Sequence, residues 1–344
     1  MAFMADKGLQ KTDEATATGG SAHRAGAAQK GLNEPREGYG QTWAKTILIG
    51  EHSVVYGHPA LALPLHELKM QAWAAPAAPD ETPRLHALDY DGPLEQSGER
   101  FGGLRRAVEV TLKFLGHSGQ GFHIRTVSDF PAGRGLGSSA AASGAVVRAL
   151  LDAYQVDASQ EDILNLTNEA EKITHGHPSG LDAATTAGEQ PVELSAGNMR
   201  SVQPHGAGYL VIADTGVAGS TKEAVEGVRS RLQADPDGVG QLLDSLGQEA
   251  QEAIGDLEEG QMEPLGEHMN QAQDLLNALQ IGHPQLDHLV EAARSEGALG
   301  AKLTGGGLGG CMLALAADEE SADRISQALK DSGAKQVWAH QLVA

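Results

Sequence analysis

From about Thr42 onward, apolar and polar positions divide the chain into short strands and amphipathic helices. Lys45-Thr-Ile-Leu-Ile49 reads as a short apolar strand, and Pro59 to Pro64 as a second apolar run beyond Gly50-Glu-His-Ser-Val-Val-Tyr-Gly57. Trp73 to Arg100 reads as short strands and loops, and Leu104, Val108, Leu112 and Leu115 recur at helical spacing. Phe122 to Val127 alternates as a half-buried strand does, and Val147, Leu150, Leu151 and Tyr154 then line one face of a helix. Ser159 with Asp162 resembles a capping box, opening a helix through Ile163, Leu166, Ala170 and Ile173 that stops at Gly176. A turn at Pro178-Ser-Gly180 leads to a short helix from Leu181. Beyond a strand at Gly208 to Asp214, helices run from about Thr221 to Glu296, with Leu265, Met269, Ala272, Leu276 and Leu279 as one buried stripe. Strands at Ala301 to Thr304 and Cys311 to Ala316, a helix near 322–329 and a strand near 336–343 close the pattern. Residues 1–40 carry few large apolar groups (Phe3, Leu9, Leu32 and Tyr39). They cannot offset the entropy of ordering, so a disordered extension is expected there.

Composition adds limits. Among the 344 residues only 4% are aromatic, so aliphatic side chains and alanine must fill the core. The 25 Lys and Arg against 46 Asp and Glu give a net charge of −21, which argues against nucleic acid or an anionic membrane as partner. Any phosphate site must therefore be locally positive. One cysteine, Cys311, excludes a disulfide framework and fits a cytoplasmic protein. No apolar run approaches the ~20 residues that span a bilayer.

The stretch Pro131-Ala-Gly-Arg-Gly-Leu-Gly-Ser-Ser-Ala-Ala141 carries the chemistry. It follows a strand and opens an alanine-rich helix, so free N–H groups, the helix dipole and close backbone approach all suit a phosphate. A serine-capped strand-to-helix turn without a ligand has the same local sequence. A P-loop is excluded, because it needs a lysine directly before the serine. A dinucleotide fingerprint fails on the third glycine spacing and on the missing acid. Glu171, near a helix C-terminus, is poorly placed against the dipole unless Lys172 or a metal ion compensates. His175 and His177 beside it imitate part of a zinc site without a third histidine. Asp182 reads locally as a helix-start aspartate. Glu51-His52 sits between apolar runs, and Gly305-Gly-Gly-Leu-Gly-Gly310 cannot serve packing, since glycine fills no volume.

Three motifs, G-E-H-S-V-V-Y-G, P-A-G-R-G-L-G-S-S-A-A and K-L-T-G-G-G-L-G-G-C, stand in that order. Together they resemble the GHMP kinase superfamily (galactokinase, homoserine kinase, mevalonate kinase and phosphomevalonate kinase), most closely its mevalonate kinase branch, over about residues 42–344. Phosphomevalonate kinases tend to read G-E-Y in the first motif, and galactokinases follow G-E-H with Thr-Asp-Tyr. The resemblance implies an α+β fold in two domains: 41–217, a mixed sheet with a left-handed crossover, and 218–344, ferredoxin-like. It further implies ATP and mevalonate as substrates and Mg²⁺ as cofactor, with a homodimer as the common family state. Pro131, Ala132, Gly133, Arg134, Gly135, Leu136, Gly137, Ser138 and Ser139 would wrap the ATP phosphates, with Ser128 contacting the nucleotide. Ser139 and Glu171 would hold Mg²⁺. Asp182 would be the base, and Lys45 would pair with it and with the transferring phosphoryl group. Glu51, His52, Gly305 and Gly306 would meet mevalonate. Lys45, Arg134 and Lys302 would supply the local positive field. A non-catalytic sensor on the same scaffold would be expected to lose Lys45, Glu171 or Asp182, and all are present. Trp43-Ala44 replaces the family's frequent Pro-Gly, and Leu308 interrupts the third motif, where it could narrow the pocket.

Overall fold

The computed structural model describes residues 34–176 and 178–342. Most of the expected extension, 1–33, lies outside the described residues. Its last part is not loose, however: β1 (Gly38–Ile49) starts ahead of the expected Thr42, and Arg36 N–H donates to the Ala153 carbonyl (3.0 Å).

β2 (Ala60–Pro76) is the axis of the first sheet. β1 runs antiparallel along one edge of it. The remaining first-sheet elements are β3 (Arg84–Ala87), β4 (Tyr90–Pro93), α1 (Gly102–Leu115), β5 (Phe122–Ser128), α2 (Ser138–Ala153), α3 (Gln160–His175), α4 (Leu181–Ala187), β6 (Val192–Ser195) and β7 (Asn198–Ser201). The other edge of β2 is shared by β5 at one end and β6 at the other. β3 pairs parallel to β5 while the other ladders are antiparallel, so the sheet is mixed as expected. Alanine-rich α2 packs on β1 and β2, and α1 and α3 pack against it. Its Ala141, Ala145, Val146, Val147, Leu150 and Leu151 are buried, which lets helix and sheet approach closely with little aromatic bulk. Ile173, assigned by periodicity to the inner face of α3, is 57% exposed instead.

The second half contains β8 (Gly208–Asp214), α5 (Thr221–Ala234), α6 (Pro236–Glu259), α7 (Met262–Ala278), α8 (Pro284–Ser295), β9 (Gly300–Leu303), β10 (Cys311–Ala316), α9 (Glu319–Asp331) and β11 (Gln336–Leu342). Its sheet has the order β11-β8-β10-β9, all antiparallel. That is the strand order of a ferredoxin-like unit, with four helices in the first crossover and one in the second. β8, which precedes residue 217, belongs to this second sheet. The stripe Leu265, Met269, Ala272, Leu276 and Leu279 is fully buried where α7 packs. Among the described residues, no helix is long and apolar enough to cross a membrane.

Candidate active site

The β5–α2 loop is shaped by its glycines. Gly133, Gly135 and Gly137 have φ of 71°, 82° and 72°, while the residues between them keep negative φ. This alternation turns successive N–H groups toward one concavity, a backbone nest suited to an anion. Gly137 is itself the N-cap of α2, with no side-chain capping bond, so the expected serine cap is absent and both serines lie in the first turn. A Cβ on Gly137 would come within 2.6 Å of Lys45 Cγ, which ties the glycine to the lysine beside it. Leu136 anchors the loop from below. Its side chain is 1% exposed, and its carbonyl accepts from Lys45 N–H (3.0 Å). Leu136 thus contributes backbone shape rather than side-chain contact.

Lys45 lies just past a register break, where the partner of β1 jumps from Lys69 opposite Trp43 to Leu65 opposite Ala44. The extra residues lie in β2 as a bulge opposite Trp43-Ala44. Lys45 Nζ stands 2.9 Å from Asp182 Oδ1, the lysine buried and the carboxylate 41% exposed at the first turn of α4. Ser139 Oγ donates to Glu171 Oε1 (2.6 Å) and lies 3.3 Å from Thr174 Oγ1. Burial pushes the Glu171 carboxyl up to about 7; the Ser139 hydrogen bond opposes this, and the nearby Asp182 charge adds to it. Lys172 does not relieve Glu171, because it pairs with Glu169. His175 Nε2 is 3.5 Å from Glu171, and no group of three or more metal-ligating His, Cys, Asp or Glu occurs among the described residues. His177 lies outside the described residues.

The first and third motifs meet across the two halves. Lys302, fully buried on β9, pairs with Glu51 and also donates to the Leu303 carbonyl (2.7 Å). Glu51 Oε2 is buried with no partner, and burial raises the Glu51 carboxyl while lowering the Lys302 ammonium. His52, at φ 61°, donates from Nε2 to the Gly306 carbonyl (2.9 Å). Burial pushes its imidazole down, and the positive charge of Arg231 lowers it further. Thr304 Oγ1 accepts from Ile47 N–H (3.1 Å) and donates to the Ile47 carbonyl (2.9 Å). The glycine loop then packs on the nest: Gly135 Cβ, if present, would meet the Thr304 carbonyl at 3.3 Å. Leu308 is partly buried and packs against the core.

Three of the expected residues are engaged by the protein's own groups here. Arg134 and Lys302 do not supply free positive charge, since Asp214 and Glu51 neutralise them. Ser128 is turned onto its own loop, donating to the Phe130 carbonyl (2.6 Å) and accepting from Phe130 N–H (3.2 Å). Three contributors escaped sequence reasoning: Asp214 and Thr304, and Arg231 on α5, whose Nε is buried without a partner. No local pattern marks Arg231 apart from its neighbour Arg229. A surface hollow of about 280 Å³ beside Trp73, Arg84 and His123 lies at the far end of β1 and β2 from Lys45.

The glycine nest, Ser139, Glu171 and Asp182 lie within the first of two matching family profiles, GHMP kinases N terminal domain over 104–189; the second, GHMP kinases C terminal, matches 253–335, and Lys45 precedes both. The chain belongs to the GHMP kinases. Its similarity within them is to mevalonate kinases. The mevalonate kinase of Thermococcus gammatolerans is 34% identical over 298 residues, covering 81% of this chain and 89% of that protein. That of Methanothermobacter thermautotrophicus is 33% identical over 274 residues, covering 79% and 88%. The crystal structure of L. major mevalonate kinase in complex with R-mevalonate superposes with a TM-score of 0.79 at 26% identity, covering 90% of this chain and 98% of that one.

Proposed function

We infer that this protein transfers the terminal phosphoryl group of ATP to the primary hydroxyl of mevalonate, giving 5-phosphomevalonate. The observation that carries this reading is the Lys45–Asp182 pair beside the Ser139–Glu171 pair at the rim of the glycine nest. Phosphoryl transfer asks mainly for positioning and charge neutralisation, because the transition state spreads charge over the phosphoryl oxygens. The N–H groups of residues 133–139 supply donors for the phosphates without adding side-chain bulk. Asp182 Oδ accepts the proton of the attacking hydroxyl, and Lys45 Nζ, bonded to Asp182, is placed to follow the charge onto the phosphoryl oxygens.

Ser139 and Glu171 fit Mg²⁺: they offer hard oxygens 2.6 Å apart, and the buried carboxylate, pushed up to about 7, lacks a full counter-charge. When bound, the ion neutralises charge on the phosphate oxygens. For the acceptor, the unpartnered Glu51 Oε2 is an acceptor for a substrate hydroxyl, and Arg231 is the cation placed for the mevalonate carboxylate. A cytoplasmic homodimer completes the reading; its supports are family resemblance and the free, buried Cys311. The test is ADP release with Mg-ATP against mevalonate, phosphomevalonate, galactose and homoserine in parallel. Mevalonate should turn over fastest, and a higher kcat/KM for any other acceptor would overturn the assignment.

A further inference from the structure

The nest is pinned on both sides by alternate residues. Leu136 is buried in the core and bonded through its carbonyl to Lys45 N–H on β1, and Arg134 reaches to the end of β8. Arg134 Nε lies 3.0 Å from Asp214 Oδ1 and 3.3 Å from Oδ2, and its Nη2 donates to the Gly216 carbonyl (3.2 Å). Asp214 is only 2% exposed. It is held in turn by the Gly216 N–H on Oδ1 (2.9 Å), and its own carbonyl accepts from Lys335 N–H (2.7 Å). The contact continues along the backbone: Gly310, at φ 82°, would bring a Cβ within 3.0 Å of the Arg134 carbonyl, and the Gly310 carbonyl accepts from Thr215 N–H (3.0 Å).

We propose that Arg134 and Asp214 form a latch that holds the phosphate-binding loop in its anion-binding shape from the second half of the molecule, making Asp214 a positioning residue for ATP. A loop with glycine at every second position has high conformational entropy when free, and Leu136 alone restrains one side of it. Restraining it before the ligand arrives raises affinity without any new contact. A half-buried arginine whose Nε–H is shared by both oxygens of the buried Asp214 suits that task, because removing the arginine strands the carboxylate. The alternative use of Arg134, direct contact with a phosphate, predicts the opposite response of Asp214. Neutralising the aspartate would then release the arginine and remove a negative charge near the nucleotide, and ATP would bind as well or better.

The latch rests on the nucleotide reading above, and wild-type Mg-ATP binding by calorimetry tests that reading separately. Given wild-type binding, Arg134→Ala and Asp214→Asn should each raise the Kd for Mg-ATP about tenfold, equivalent to about 1.4 kcal/mol. The double variant should be no worse than the weaker-binding single, and the KM for mevalonate should stay within about twofold. Amide hydrogen exchange provides a second measurement without nucleotide: residues 133–137 should exchange faster in Arg134→Ala and in Arg134→Gln, by a larger factor than the amides of α7, which report any global destabilisation. Unchanged or tighter ATP binding by Asp214→Asn, additive losses in the double variant, or unchanged loop exchange in the Arg134 variants would each overturn the latch.

Discussion

Replacing Lys302 with methionine tests the buried joint between the first and third motifs. Methionine keeps the length and apolar stem and removes the ammonium. Glu51, with its side chain 1% exposed, then loses its counter-charge while Oε2 already lacks a partner. Breaking one side of a buried pair costs about 3–5 kcal/mol, because the remaining charge is stranded in a poorly solvated site. Glu51 has an escape, which is to take up a proton. Burial already raises its carboxyl, and the variant loses the Lys302 charge and hydrogen bond that oppose the rise. The folded carboxyl then titrates well above its unfolded value of about 4.3. Over that interval the folded state binds more protons than the unfolded state, so stability falls as pH rises through the folded value and returns as pH drops toward 4.3. Urea unfolding at pH 8 should therefore show a loss of about 3–5 kcal/mol that shrinks by pH 5.5, and Glu51→Gln added to Lys302→Met should recover most of it. A loss under about 1 kcal/mol at pH 8, a deficit that grows in acid, or no recovery with Glu51→Gln would refute the reasoning.

Asp182→Asn should still bind Mg-ATP but lose about 10²–10⁴ in kcat, the range for removing a general base; stopped-flow turnover measures it, and near-normal turnover would show that another group takes the proton. Arg231→Gln should raise the KM for mevalonate about 10- to 100-fold, as expected for a lost charge-assisted hydrogen bond, with the KM for ATP little changed in steady-state kinetics. Gly137→Ala should reduce kcat far more than thermal stability, because its φ of 72° and the 2.6 Å approach to Lys45 Cγ force the lysine to move; a full-activity variant with an unshifted melting curve would contradict the close approach.

Most elements were legible in the sequence because their signals are local. The stripe on α7, the alternation of β5, the Ser159 cap of α3 and the positive-φ glycines before α2 each depend on residues within a few positions of one another. The motifs likewise named Lys45, Ser139, Glu171 and Asp182, and the structure brings these four together. The tertiary structure alone decided which charges remain available. Lys302 and Glu51 stand 251 positions apart, and Arg134 and Asp214 stand 80 apart. Nothing near any of them in the chain says that β9 reaches the first motif, or that the end of β8 reaches the glycine loop. Once those ends meet, burial makes an unpaired charge costly, and Arg134 and Lys302, both expected to face phosphate, are each paired with a carboxylate. The same logic places Gly137 at the N-cap in place of a serine. The nest needs left-handed φ at that position, a local requirement, but the lysine that leaves no room for a side chain there comes from a strand that only the fold places beside it.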